Sequence, residues 1–170
     1  MITIRVETLE ETGALATALA PLLRPGDALC LDGELGAGKT AFVRALAGWF
    51  GVGDEINSPT FTLENRHPLP DRGPASPRLL VHCDLYRPGE DARRDLLPAM
   101  LEARDEGALL AVEWGDPVRD WLTPYLQITV NLTHGQGPVR REFTLEAVPE
   151  GWPRMQDLVA AWRGIGEVVA

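Results

Sequence analysis

Residues 33–40 combine three glycines, a lysine and a threonine in the spacing G-x-x-x-x-G-K-T. Glycines let a backbone curl so that its N–H groups point inward at a phosphate. A lysine at this position can reach the β- and γ-phosphates of a nucleotide, and the threonine hydroxyl can bind Mg²⁺. The pattern therefore predicts a phosphate-binding loop, the P-loop. Its candidate nucleotide-binding residues are Gly33, Glu34, Leu35, Gly36, Ala37, Gly38, Lys39 and Thr40.

The use of lysine supports this prediction. The sequence contains 16 Lys and Arg residues, and Lys39 is its single lysine. A compact ammonium suits a tight phosphate loop, whereas the wide planar guanidinium of arginine does not replace it there. Lysine is therefore kept at the one position where the predicted chemistry requires it.

Two acidic residues follow apolar runs that are typical of buried strands. Asp84 follows residues 79–83, and Glu113 follows residues 108–112. Ligands of open α/β sheets bind at the carboxyl ends of the strands, so both carboxylates are expected beside the P-loop. One of them can hold Mg²⁺ while the other orients the attacking water or acts as a base. The residues alone leave these two roles open.

Three other residues give weaker signals. Thr60 follows Ser58 and Pro59 in a loop, where a threonine can close on a γ-phosphate, although Ser-Pro-Thr is also an ordinary turn. His82 lies in the middle of a strand and is interpreted as a core histidine rather than a catalyst. Trp114, next to Glu113, either lines the site or packs against the protein body.

The elements that must position these residues alternate between strands and helices. Predicted strands cover 2–7, 28–31, the second half of 58–64, 79–84, 108–113, 126–132 and 141–147. Predicted helices cover 10–23, 41–50, 91–106 with a break or a new start at Pro98, and 152–164. Residues 68–77 are expected to form an exposed proline-rich loop with nothing to pack, and 135–138 a hairpin turn.

Together these elements predict one α/β domain over residues 1–170. The expected fold is a P-loop NTPase-like sandwich, in which central parallel strands are extended by antiparallel strands into a mixed sheet.

Composition narrows the range of partners and compartments. The net charge is −9, which argues against direct nucleic-acid binding as a main activity, because such a surface needs clustered Lys and Arg. The first residues alternate as a strand does and do not resemble a signal peptide, and there is no apolar run long enough to span a membrane. We therefore expect a cytoplasmic protein, with Cys30 and Cys83 as reduced core thiols.

Four motifs together resemble the bacterial TsaE (YjeE) family. They are the P-loop, S-P-T-F at 58–61, H-C-D-L-Y-R at 82–87 and V-E-W at 112–114. The resemblance implies a small cytosolic ATPase that uses ATP and Mg²⁺ and acts with two partner proteins, TsaD and TsaB. The resemblance places these proteins in the bacterial machinery that makes N6-threonylcarbamoyladenosine at position 37 of tRNA. Hydrolysis is expected to reset the partner complex, and tRNA is involved only indirectly.

The resemblance also implies roles for single residues. Lys39 and Thr40 would hold phosphate and Mg²⁺, and Thr60 would be a switch threonine. Glu113 would lie with Thr40 at the metal, and Asp84 near the nucleotide or its attacking water. The expected catalytic set is therefore Lys39, Thr60, Asp84 and Glu113.

Two further expectations concern the surroundings of the nucleotide. Arg140, in the last hairpin, would approach it, and residues 9–12 would lie over the adenine. The insertion at 68–77 and the C-terminal helix depart from the pattern of the family and could alter partner contacts.

Two other functions remain possible for the sequence. A small-molecule kinase also contains a P-loop but usually needs an arginine-rich lid, for which Arg93 and Arg94 are the candidates. These two arginines are better interpreted as a solvated helix face. A nucleotide-dependent binding module would lack useful turnover, so it would not need Asp84 or Glu113 for catalysis.

Overall fold

The structure is a computed structural model that describes residues 1–57, 59, 63–86, 90–133 and 140–169. In this part of the chain, eight strands form one sheet in the order β3-β4-β5-β2-β6-β7-β1-β8. The strands are β1 (Ile2–Val6), β2 (Ala28–Gly33), β3 (Glu64–Pro68), β4 (Leu79–Asp84), β5 (Leu109–Glu113), β6 (Tyr125–Thr133), β7 (Arg140–Val148) and β8 (Glu167–Val168).

The centre of the sheet is parallel and its two sides are antiparallel. Strands β4, β5, β2 and β6 run in the same direction. The pairs β3–β4, β6–β7, β7–β1 and β1–β8 are antiparallel. The predicted mixed α/β sheet is thus confirmed, and the carboxyl ends of β2, β4 and β5 lie at one edge.

Four helices cover the two faces of the described sheet. They are α1 (Leu9–Leu19), α2 (Lys39–Phe50), α3 (Glu90–Asp105) and α4 (Met155–Arg163). Buried side chains of α1, α2 and α4 belong to the larger core cluster on one face, whereas Met100 and Ala103 of α3 belong to the cluster on the other. Trp162 of α4 is fully buried, and its Nε1 donates to the carbonyl oxygen of Leu15 at 3.0 Å.

Local sequence signals explain where α1 and α2 begin and end. Thr8 and Glu11 form a capping box, because the Thr8 side chain accepts from the Glu11 amide and the Glu11 carboxylate accepts from the Thr8 amide. Helix α1 stops at Leu19 and continues as a 3₁₀ turn over Ala20–Leu22, which carries Pro21. Helix α2 ends at Phe50, and Gly51 after it caps the helix in a left-handed conformation with a φ of 94°.

The strand after the P-loop helix lies later in the chain than the sequence suggested. The prediction placed it in the second half of 58–64, but β3 begins at Glu64. Its register is set by antiparallel pairing with β4, in which Glu64 faces Cys83 and Pro68 faces Leu79. The loop that follows is not free of packing, because Leu69 is only 7 % exposed and belongs to the core.

Two other elements differ from the predictions. Helix α3 runs through Pro98 without a break, since Met100 and Ala103 beyond it are buried against the sheet. The two-residue strand β8 was not predicted, because so short a segment has no periodicity of its own. The predicted turn at 135–138 lies outside the described residues. Among the described helices, none combines the length and apolar character that crossing a bilayer needs.

Candidate nucleotide-binding site

The P-loop connects the end of β2 to the start of α2, at the sheet edge where the parallel strands end. Gly33 has a φ of 140°, and a Cβ placed there would lie 2.2 Å from the carbonyl oxygen of Val130 on β6. Gly38 precedes the helix with a φ of 109°. Only glycine fits these two positions without strain, so the loop keeps its backbone N–H groups directed inward.

Lys39, the first residue of α2, is held inside the loop. Its Nζ donates to the carbonyl oxygens of Gly33 at 2.8 Å and Glu34 at 2.9 Å, and lies 3.9 Å from the ring centroid of Trp114. The residue is only 4 % exposed. Burial lowers the pKa of Lys39, and the nearby carboxylate of Glu113 partly opposes this effect. The ammonium is therefore held within the P-loop, and Lys39 lines the pocket there.

Thr40 and Glu113 are in direct contact. The Thr40 hydroxyl lies 2.8 Å from Oε1 and 3.0 Å from Oε2 of Glu113, and it donates to this carboxylate. Glu113 is the last residue of β5 and is 3 % exposed. Because the hydroxyl proton is directed at the carboxylate, the lone pairs of the Thr40 oxygen remain available to a cation.

Asp84 lies beside Glu113 at the end of the neighbouring strand, since the two are partners in the β4–β5 register. It is 6 % exposed, and its Oδ1 accepts from the amide of Tyr86 at 3.1 Å. The structure thus brings together the two carboxylates that the sequence placed at strand ends.

These side chains open into one pocket of about 270 Å³. Tyr86 and Trp114 form an aromatic wall there, with ring centroids 4.7 Å apart. Trp114 adopts a left-handed backbone conformation with a φ of 58°, which is costly for a bulky residue. The pocket is lined by Leu35, Gly36, Gly38, Lys39, Thr40, Ala41, Asp84, Tyr86, Glu113 and Trp114.

The donor set of this pocket fits a hard cation such as Mg²⁺. Mg²⁺ is typically held by one or two carboxylates, hydroxyl oxygens, waters and substrate phosphates, and the Thr40 hydroxyl with the Glu113 and Asp84 carboxylates supplies such oxygens. Within the described residues, no group of three or more His, Cys, Asp or Glu side chains is placed to hold a metal ion by itself.

Arg140 and Arg141 lie on opposite sides of β7. Arg140, the predicted nucleotide contact, pairs through Nε with Oε1 of Glu7 at 2.9 Å. Its neighbour Arg141 instead contacts the P-loop, where its Nε donates to the carbonyl oxygen of Ala37 at 3.1 Å. A Cβ on Gly38 would lie 3.5 Å from that same nitrogen.

Two further predictions about the site concern Thr60 and residues 9–12, and both stay predictions. Thr60, the predicted switch residue, lies outside the described residues. Residues 9–12 form the first turn of α1, in which Leu9 is exposed and Thr12 is buried.

Two residues of the site were missed by the sequence analysis. His82 is fully buried, as a core histidine should be, but its Nε2 lies 2.8 Å from Oε1 of Glu113. Arg141 contacts the P-loop through the carbonyl oxygen of Ala37, and the approach of Arg140 to a nucleotide stays a prediction. Alternate residues of a strand share a face, and this rule could have indicated both contacts. His82 shares a face with Asp84, and Arg141 shares one with the core residue Phe143.

Comparisons with known proteins identify the family of this chain. A family model for the threonylcarbamoyl adenosine biosynthesis protein TsaE matches residues 6–143. The tRNA threonylcarbamoyladenosine biosynthesis protein TsaE of Streptomyces coelicolor is 41 % identical over 111 residues, which are 64 % of this chain and 70 % of that protein. The protein of the same name from Bacillus subtilis is 37 % identical over 143 residues, covering 82 % and 81 %.

A solved structure gives the same result for the fold. The crystal structure of Bacillus subtilis YdiB superposes with a TM-score of 0.68 at 28 % sequence identity, and covers 96 % of this chain and 97 % of that one. The span matched by the family model includes the P-loop and both site carboxylates. The chain belongs to the TsaE family of tRNA threonylcarbamoyladenosine biosynthesis proteins.

Proposed function

We propose that this protein binds ATP with Mg²⁺ at the P-loop and hydrolyses it. The observation that supports this most directly is that Lys39, Thr40, Asp84 and Glu113, from three separate segments of the chain, line one pocket of about 270 Å³. A P-loop with only structural carboxylates nearby would not need both acids at the mouth of the same pocket.

The positions of the residues support the following proposed roles. The backbone N–H groups of the P-loop and the start of α2 cradle the phosphates, and Lys39 neutralises the β- and γ-phosphate charge. Thr40 and Glu113 would hold Mg²⁺, which would supply positive charge to the phosphoryl oxygens. Asp84, beside them, accepts a hydrogen bond from the attacking water and orients it.

The aromatic wall has a separate role in this proposal. Trp114 and Tyr86 close one side of the pocket, and the Trp114 ring lies against the ammonium of Lys39. A wall of this kind lowers the amount of bulk water around the charged groups, which strengthens their interactions with a phosphate.

We further propose that hydrolysis serves partner proteins in the tRNA modification pathway. The family resemblance names TsaD and TsaB as these partners, with ATP hydrolysis resetting their complex in the cytoplasm. The net charge of −9 is consistent with an indirect connection to tRNA, because a phosphate-binding surface would need an excess of basic residues.

Phosphate release by purified variants tests the ATPase proposal. Lys39→Ala should abolish tight ATP binding. Glu113→Gln and Asp84→Asn should still bind ATP but release phosphate at least about 10²-fold more slowly, as expected when a general base or a metal ligand is removed. If neither carboxylate variant slows release, the carboxylates are not catalytic, and a wild type without useful turnover would be a nucleotide-dependent binding module. Phosphoryl transfer to nucleosides or small acids well above hydrolysis would instead identify a kinase.

A pull-down with purified TsaD and TsaB tests the partner proposal. Complex formation at micromolar protein should differ between ATP and ADP, and Lys39→Ala should remove that difference. Failure to form any complex with ATP–Mg²⁺ present would refute the partner role while leaving the ATPase proposal intact.

A further inference from the structure

His82 lies directly behind the carboxylate that is proposed to hold Mg²⁺. It is in the middle of β4, is fully buried and does not line the pocket. Its Nε2 lies 2.8 Å from Oε1 of Glu113 on the adjacent strand β5. The imidazole therefore contacts the site from the protein interior and has no direct access to a nucleotide.

The Glu113 carboxylate is contacted by polar side chains from two elements of the fold. Thr40 on α2 donates to both of its oxygens, and His82 on β4 contacts Oε1. With only the Thr40 contact, the carboxylate could turn about its last side-chain bond, because a single hydroxyl can follow it. The second contact, from a rigid strand, fixes the plane of the carboxylate.

The surroundings of the imidazole indicate which nitrogen carries the proton. Within the described part of the chain, the buried Nδ1 of His82 has no hydrogen-bond partner. A proton on Nδ1 would therefore be a buried donor with no acceptor, and Nε2 would then direct a lone pair at a carboxylate. A proton on Nε2 satisfies both the ring and Glu113.

We propose that His82 is a positioning residue, whose Nε2–H holds the Glu113 carboxylate in the orientation needed to bind a divalent cation together with Thr40. The inference rests on the proposed function and adds to it a residue that does not itself touch the metal or the nucleotide. Supporting groups that hold a metal ligand in this way commonly account for 10- to 100-fold in metal affinity or activity.

Two amide variants of His82 provide a matched test. His82→Gln places an N–H donor the same number of bonds from Cα as Nε2, so it can still reach Glu113. His82→Asn is also a polar amide, but its nitrogen corresponds to Nδ1 and falls short. The measurement is the Kd of ATP by calorimetry in EDTA and again in Mg²⁺, followed by kcat and KM for hydrolysis.

We expect all three proteins to bind ATP equally well in EDTA, because His82 does not line the pocket. The gain in affinity that Mg²⁺ provides should be retained within about threefold in His82→Gln and reduced about 10- to 100-fold in His82→Asn. The KM for ATP in Mg²⁺ should rise with this loss in His82→Asn and stay near the wild-type value in His82→Gln. An unchanged Mg²⁺ gain in His82→Asn would overturn the inference. If the wild type binds no ATP in either buffer, the proposed function itself fails.

A measurement on the wild type decides the question even if His82→Asn does not fold. The ¹⁵N spectrum of the histidine side chains reports which imidazole nitrogen carries a proton. A proton on Nε2 of His82 supports the inference, and a bare Nε2 overturns it because the ring could not donate to Glu113. This spectrum needs neither nucleotide nor metal, so it is independent of the proposed ATPase activity.

Discussion

The contact of Arg141 with the P-loop leads to the most specific prediction about nucleotide binding. The Nε of Arg141 donates to the carbonyl oxygen of Ala37 at 3.1 Å, and Ala37 is fully buried. Arg140, one residue earlier, lies in an exposed ion pair with Glu7. We therefore expect substitution of Arg141 to weaken ATP binding and substitution of Arg140 to serve as its matched control.

The expected loss follows from the environment of the carbonyl. Arg141→Ala leaves the buried Ala37 oxygen without this donor, and an unmade hydrogen bond of this kind costs about 1–3 kcal/mol. If the loop must keep its present shape to bind phosphate, a central value of about 2 kcal/mol corresponds to an ATP affinity about 30-fold weaker. Arg140→Ala removes only an exposed pair, worth about 0–1 kcal/mol of folding stability, and should leave ATP affinity within about twofold of the wild type.

Two further substitutions separate the hydrogen bond from the charge. Arg141→Gln keeps an N–H donor at the position of Nε but is neutral, whereas Arg141→Lys keeps the charge without a donor at that position. Calorimetric titration with ATP should show near-normal affinity for the glutamine variant and a loss for the lysine variant. The opposite order would refute the argument, because it would mean that the charge of Arg141, not its bond to Ala37, serves the nucleotide. A larger loss in Arg140→Ala than in Arg141→Ala would refute it as well.

Three other predictions concern the glycines, the lysine and the thiols. Gly33→Ala should lower the urea midpoint of unfolding strongly, because its Cβ would lie 2.2 Å from a carbonyl oxygen. Gly36→Ala has no atom within 4 Å of its Cβ, so its midpoint should fall only by the cost of the positive φ of 80°. Equal losses of stability in the two variants would contradict this. Burial lowers the pKa of Lys39. As the pH rises toward the ordinary lysine pKa, the unfolded chain therefore holds more protons than the folded protein, and the unfolding free energy of the wild type should rise relative to that of Lys39→Met. A flat difference in urea titrations would contradict that. Burial raises the pKa of Cys30 to about 12 and also raises the pKa of Cys83. A thiol reagent should therefore label neither cysteine until the protein unfolds. Rapid labelling of the native protein would contradict this prediction.

The sequence predicted the centre of the site because its signals are local. The P-loop is defined by eight consecutive residues, and the strands that end at Asp84 and Glu113 are short apolar runs. Once these strands are parallel neighbours, topology alone places both carboxylates at the same edge. No long-range information is needed for this part of the site.

The position of β3 could not be predicted in the same way. The segment before it alternates polar and apolar residues, as a strand does, but the observed strand begins only at Glu64. Its start is fixed by the partner strand, since Glu64 pairs with Cys83 across an antiparallel register. Leu69, just beyond the strand, is buried for the same reason, because the hairpin returns it to the core. Tertiary pairing therefore overrides the local pattern here.

Arg140 and Arg141 show how the sequence analysis missed a contact with the P-loop by one residue. Adjacent residues of a strand point to opposite faces, so the difference between them is a difference of face. Phe143 stacks on Phe42 of the P-loop helix with ring centroids 5.6 Å apart, which directs Arg141, two residues earlier, to the side of the P-loop. Arg141 lies two residues before Phe143, so the alternation of side chains along β7 would have favoured Arg141 over Arg140 as the residue on the P-loop side.

Four strands and one helix therefore determine the geometry around the phosphate position. Strand β2 leads into the loop, β5 supplies Glu113, β4 supplies His82 and Asp84, and β7 supplies Arg141. Helix α2 joins them through Thr40, whose hydroxyl bonds to Glu113. Because each contact depends on which face a strand residue occupies, a register shift of one residue in β4 or β7 would remove His82 or Arg141 from the site. The shape of the P-loop is thus a property of the whole sheet, even though its sequence motif is only eight residues long.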